Sequence, residues 1–206
     1  SQIGKDINPI PDLHDLTLPF KLWFVSGHDI ALSGDGKIMA VAASFKIYLY
    51  NLNQDEYPEE CEDGTFESGC EYSRVTVYTL DDKTSWTVRG EPMILLSGTY
   101  VGVPRLSLSK NGEVLAIGRS SFEKSTTKGY VSVHRWNGSA WDVVGDKIEG
   151  DSTAVGRSVS LNDDGTIVGV GSFDNGKFGV YEWNETKGWA ILGNKIKGKE
   201  QIGAKV

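Results

Sequence analysis

The chain has 206 residues, 39% of them hydrophobic and 24% charged, enough to bury a sizeable core in one large domain or two small ones. Twenty-five glycines, set among short Trp, Tyr, Val and Ile runs broken by Asp-Gly and Asn-Gly, predict strands and tight turns rather than helices. The net charge of −7 gathers in one segment and leaves no basic stripe for nucleic acid, while no apolar stretch approaches the roughly 20 residues of a membrane helix.

The N-terminus lacks the charged, apolar and small-residue order of a signal peptide, as in a mature or trimmed chain. Residues 3 to 7, Ile-Gly-Lys-Asp-Ile, resemble two later segments, Val144 to Ile148 and Leu192 to Ile196. They predict that residues 1 to 26 hold the end strand of a preceding repeat and an irregular connection around His14.

The first complete repeat spans residues 27 to 101. It opens on Ile30 to Ala43, two apolar runs joined through Asp35-Gly36, and resumes at Arg74 to Leu80 in strict alternation. Between them lies an insertion, residues 54 to 73, which carries Asp55, Glu56, Glu59, Glu60, Glu62, Asp63, Glu67 and Glu71 with no Lys or Arg. Without these eight carboxylates the chain would be close to neutral. A projecting loop of this kind is a candidate for attracting cations or a basic partner, the plainer alternative being a solvated loop. It also holds the only two cysteines, Cys61 and Cys70. They lack the four soft ligands of a structural zinc site, so a local disulfide in an oxidising compartment is expected, with a pair of free thiols as the alternative.

The second repeat, residues 102 to 150, brings Leu106 to Arg119 around Asn111-Gly112 and then Tyr130 to Trp136. The third, residues 151 to 198, brings Val159 to Ser172 around Asp164-Gly165 and then Phe178 to Trp183. Residues 199 to 206 predict the first strand of a further repeat, since Ile202 to Val206 resemble Val155 to Val159. Trp86, Trp141 and Trp189 are each followed four residues later by Gly90, Gly145 and Gly193, and seven residues later by Met93, Ile148 and Ile196. A unit of strand, turn, strand, loop, strand, turn, strand over ~40 to 50 residues is the pattern of a propeller blade. The expected fold is therefore an all-β propeller of four-stranded blades, three complete and partial at both ends. Small residues on one face of each second strand (Ala40 and Ala42, Ala116 and Gly118, Gly169 and Gly171) alternate with bulky ones on the other, so neighbouring sheets should nest bulky into small. An ordinary β-sandwich with chance repetition is the alternative.

Residues 155 to 183, from Val155-Gly156-Arg157-Ser158-Val159 through Asp164-Gly165 to Gly179-Val180-Tyr181, resemble the FG-GAP type of propeller repeat, best known from the integrin α-subunit head. The resemblance implies a cell-surface or secreted propeller. Gly118-Arg119-Ser120 and Gly171-Ser172-Phe173 replace the family's Gly-Ala-Pro. The hairpin loops hold at most two carboxylates each against the six to eight oxygens calcium wants, so the turn reading is preferred over a blade calcium. Residues 27 to 52, with Gly27-His28, are similar to a WD-repeat, which would favour an intracellular setting.

Asn137-Gly138-Ser139 and Asn184-Glu185-Thr186 are acceptor sequences for N-linked sugar in matching hairpins between third and fourth strands. Their tryptophans are read as packing caps between blades rather than sugar platforms. His134 stands where the sister repeats carry Tyr78 and Tyr181 and is read as a packing residue; His14 and His28 have no nucleophile motif beside them. Two functions are in contention: an extracellular glycoprotein module with an adhesive, structural or protein-binding role, presenting its faces and open ends to a partner or to copies of itself, and a lectin or glycan-acting enzyme with Trp23, Tyr57, Tyr100 and Phe122 as stacking residues. Neither reading implies a cofactor.

Overall fold

The computed structural model describes residues 21–48, 70–81, 84–97, 102–121, 128–150, 152–172 and 177–197. They form three antiparallel sheets of one design. In the first, β1 (Lys21–Leu32), β2 (Ile38–Tyr48) and β3 (Cys70–Asp81) pair in order, and two short strands, β4 (Ser85–Val88) and β5 (Met93–Ser97), both pair with β3. These two are one outer strand, broken at residues 89–92 around Gly90 at φ 77°. The second sheet repeats this with β6 (Arg105–Leu108), β7 (Val114–Arg119), β8 (Tyr130–Trp136), β9 (Trp141–Val143) and β10 (Ile148–Glu149). The third uses β11 (Val155–Leu161), β12 (Ile167–Ser172), β13 (Lys177–Asn184), β14 (Gly188–Ile191) and β15 (Ile196–Lys197). Three four-stranded antiparallel sheets in sequence make a propeller-like all-β fold.

Nesting of bulky on small side chains joins the sheets. Leu115 and Ile117 of β7, with Leu106 of β6, pack on Ala40, Ala42, Val75 and Val77 of the first sheet. On the other face of the second sheet, Ala116, Val131, Val133 and Ile148 receive Val155, Val159, Val168 and Val170 of the third. The alternation read from the sequence is thus the packing interface itself, because a strand shows odd positions to one neighbour and even positions to the other. At Gly118 the approach leaves no room for a side chain: a Cβ would collide with the Gly156 carbonyl and with Val159.

Each inner hairpin closes through a side-chain bridge. Asp35 Oδ1 accepts from Lys37 N at 3.0 Å and Ser33 Oγ at 2.7 Å, while Ser33 Oγ accepts from Ile38 N at 2.9 Å. Asn111 does the same in the second hairpin, with Glu113 N at 3.0 Å, and Asp164 in the third, with Thr166 N at 2.9 Å. These oxygens are committed to turn amides, as an Asx-turn requires. Successive hairpins also join along the inner end: Gly34 N donates to Lys110 O at 2.7 Å and Lys110 N to Asp163 O at 2.9 Å.

The first sheet is longer than its sisters. β1, β2 and β3 have 12, 11 and 12 residues against 4, 6 and 7 in the second, and the excess lies at the end where β2 and β3 are linked through residues 49–69.

Candidate functional site

The antiparallel path gives the molecule two unlike ends. One carries the tight hairpins just described and the turns at Asn137 and Asn184. The other carries the β2–β3, β7–β8 and β12–β13 connections and the passages from each sheet to the next.

At the tight-turn end the two Asn-x-Ser/Thr segments connect third to fourth strands, as expected. Asn137 Oδ1 accepts from Ser139 N at 2.9 Å, Ser139 Oγ at 3.0 Å and Ala140 N at 2.8 Å, and its Nδ2 donates to Asp142 Oδ2 at 2.8 Å. Asn184 Oδ1 accepts from Thr186 N at 3.0 Å, Thr186 Oγ1 at 2.8 Å and Lys187 N at 3.1 Å. The Asn and the hydroxyl two residues on are what an Asx-turn needs, so the pattern has a structural role in both hairpins, independent of any sugar. Both asparagines are exposed.

The tryptophans lock one sheet to the preceding one. Trp136 and Trp141 face each other across a hairpin with ring centroids 5.5 Å apart, Trp183 and Trp189 with 5.4 Å. Trp141 Nε1 donates to Arg89 O at 3.0 Å and Trp189 Nε1 to Val144 O at 2.8 Å. The rings lie over the outer-strand glycines: a Cβ on Gly90 would stand 2.7 Å from Trp136, and one on Gly145 would collide with Trp183. The Trp-to-Gly spacing is the latch written in the chain, each Trp closing on the glycine of the sheet before. Arg89 reinforces the first latch, with its guanidinium 4.8 Å from the Trp136 ring centroid and 2.7 Å from Glu113.

At the long-connection end, Arg119 closes β7 at the position that Ala43 and Ser172 hold in the sister strands. Its side chain is 7% exposed, and its Nη1 donates to Tyr130 Oη at 3.5 Å, a neutral acceptor. Lys147 Nζ stands 4.3 Å over the Tyr130 ring, so two cations flank one phenol. Arg105 is the register partner of Gly118, and Arg157 follows the bulge at Gly156, φ 82°. Glu149 is the register partner of Tyr130, yet among the described residues no ion pair joins a carboxylate to Arg119. Hydroxyl groups fill the rest: Ser120, Ser121 and Ser158 are buried, Ser152 Oγ and Ser172 Oγ lie 2.9 Å apart, and Ser121 N donates to Thr153 O at 2.6 Å. Cationic and hydroxyl groups at this end can bind an anion; among the described residues no acid–base pair accompanies them.

Other residues singled out from the sequence fall as follows. His134 lies in the packing of β8: its Nε2 is 3.1 Å from Ser132 Oγ, its Nδ1 is buried without a partner, and burial holds its pKa below the ordinary value. Asp55, Glu56, Glu59, Glu60, Cys61, Glu62, Asp63, Glu67, His14, Tyr57, Tyr100 and Phe122 lie outside the described residues. The backbones of Cys70, Glu71 and Trp23 are placed, with Glu71 in register with Lys46 and Trp23 with the same lysine from the other side. Among the described residues no cluster of His, Cys, Asp and Glu is arranged to hold a metal, and no helix is long and apolar enough to cross a membrane. Sequence reading missed Arg119; the signal was its break with the small residues at the same position in the sister repeats.

No protein-family model matches the chain, and no curated protein matches it in sequence. Solved structures do. A putative 6-phosphogluconolactonase from Bacteroides uniformis is 14% identical, with 86% of this chain and 56% of that one covered and a TM-score of 0.48. A second protein so described, from Bacteroides fragilis, is 14% identical over 85% and 55%, with a TM-score of 0.47. The β-propeller domain of Cps50 (Swd1) from Myceliophteria thermophila is 9% identical over 87% and 76%, with a TM-score of 0.39. The chain spans about half the length of the first two. The likeness is to propeller-type folds, and no FG-GAP protein is among these three. It corrects the expectation of an extracellular adhesive glycoprotein module, since these structures are described as putative 6-phosphogluconolactonases and as a β-propeller domain.

Proposed function

We propose that the chain is a propeller-type scaffold that binds a small anionic ligand, bearing a carboxylate or a phosphate, at the long-connection end of its second sheet, on the face that carries Leu115 and Ile117 towards the first. The observation that supports this most is Arg119, a guanidinium almost wholly out of water whose described side-chain partner is a neutral phenol. A buried charge without a counter-charge is costly, and a planar donor fork is suited to carboxylate or phosphate oxygens. Lys147, over the same Tyr130 ring, supplies further positive charge, and the buried Ser120 and Ser121 that follow β7 supply hydroxyls for the remaining oxygens of a ligand. The sheets themselves are read as three blades with FG-GAP-like hairpins, the connections on the Arg119 side framing the site.

Calorimetric titration of the intact chain with phosphate, citrate and gluconate tests the reading. At least one anion should bind, with an affinity that falls as salt rises, and Arg119→Met should weaken that binding about tenfold or more, the loss of a charge-assisted hydrogen bond worth about 1.5 to 3 kcal/mol. Equal heats from wild type and Arg119→Met for every anion would overturn it.

A further inference from the structure

Among the described residues the latch that joins sheet to sheet is used twice and left open at both sides. Where it is closed, three kinds of contact recur. The inner strand presents an apolar side chain to the preceding sheet: Leu106 is 8% exposed and Val159 7%. Ile30 holds the same position in the first sheet and is 53% exposed. The outer strand presents an isoleucine to the following sheet: Ile148 is 5% exposed, and its counterpart Ile196 is 55% exposed. The hairpin glycine rests on the preceding sheet, Gly112 on Ile38 and Gly165 on Val114, whereas a Cβ on Gly36 meets nothing within 4 Å. The rim glycine shows the same break, with Gly90 and Gly145 covered by tryptophan rings and Gly193 open.

The two open faces are the two halves of one contact. The first sheet offers Ile30, the Gly36 hairpin and Trp86; the third offers Gly171, Ile167, Ile196 and Gly193. We propose that a second copy of this chain covers both, the first sheet of each copy seated on the third sheet of the other. The argument is continuity: the operation that carries the first sheet onto the second, and the second onto the third, carries the third onto the first sheet of a neighbour. Trp86 Nε1 then donates to Leu192 O, as Trp141 does to Arg89 O and Trp189 to Val144 O, and Asp163 N donates to Gly34 O, as Gly34 does to Lys110 O. Two copies used this way bury both open faces of each and close with a two-fold axis, giving six sheets, within the four to eight blades of propellers.

Light scattering on the intact chain after size exclusion tests this. The expected mass is twice the 22.5 kDa of one chain. Ile30→Glu and Ile196→Glu each spoil one half of the contact at a side chain already in water, so each should keep a cooperative melt yet run as a monomer. A wild-type mass of 22.5 kDa at all concentrations, a polymer larger than two copies, or variants that melt cooperatively and still run at twice that mass would each overturn the proposal, the first of these without recourse to any variant.

Discussion

Single side chains in this protein act first through turns. Asp35 and Asp164 each gather hydrogen bonds from the two residues that follow or flank them, and these bonds hold both carboxyls below their ordinary pKa of 3.8, chiefly through the Lys37 amide for Asp35 and the Thr166 hydroxyl for Asp164. A carboxyl whose pKa is lower folded than unfolded adds stability that is complete above the unfolded value and is lost as pH falls through the folded one. Asn111 serves the same turn without a charge. Asp35→Asn together with Asp164→Asn should therefore keep most of the neutral-pH stability, and denaturant melts below pH 3.8 should show a smaller loss than in wild type. The turn asparagines behave otherwise. Asn184→Gln displaces an oxygen that accepts three hydrogen bonds, and chemical denaturation should register a loss of about 1 kcal/mol, more than an unengaged surface residue would give.

Between whole elements, the latch of tryptophan on glycine decides how sheets meet. Gly145 has φ 68° and sits beneath Trp183, so Gly145→Ala both strains the backbone and drives a methyl into the ring. Its expected cost is about 2 kcal/mol, against less for Gly193→Ala, which shares the conformation at φ 73° but has nothing above it. Thermal melts of the two variants separate packing from backbone strain, and equal losses would mean that the indole gives way freely. Trp189→Phe removes the donor to Val144 O together with part of the indole that packs by Gly145 and Trp183, so thermal melts should show a loss above the about 1 kcal/mol of a single hydrogen bond. These costs propagate because neighbouring sheets share side chains such as Val159 and Leu106, which belong to one element and are buried by another.

For the molecule as a whole, polarity separates the two ends. Acidic and amide turns close one end, while Arg105, Arg119, Arg157 and Lys147 collect at the other, to which the acidic insertion is also attached through β2 and β3. A ligand anion bound at Arg119 stabilises the folded state by mass action, so phosphate or citrate should raise the melting temperature of wild type and leave Arg119→Met unchanged at matched ionic strength. A rise in both would assign the effect to general salt exclusion rather than to the site.

Local rules made much of this legible without coordinates. Asp-Gly and Asn-Gly fixed the hairpins because only those residues tolerate positive φ cheaply; the alternation of small and bulky side chains named the two faces; and the Trp-to-Gly interval counted out the outer strand. The same residues could not say which sheet they touch. That Trp141 closes on Gly90 rather than on its own Gly145, and that Arg89 turns to Glu113 in the next hairpin, follows only when sheets stack, since contacts between residues 24 or 52 positions apart leave no periodic trace. The sequons show the converse: one pattern, Asn-x-Ser/Thr, is a glycosylation signal in sequence and an Asx-turn in space, and only the structure shows the turn's hydrogen bonds. Arg119 belongs wholly to tertiary structure. In the sequence it is one charge at a strand end; only the folded sheets leave it 7% exposed beside Tyr130, which is what recommends it as the proposed anion site.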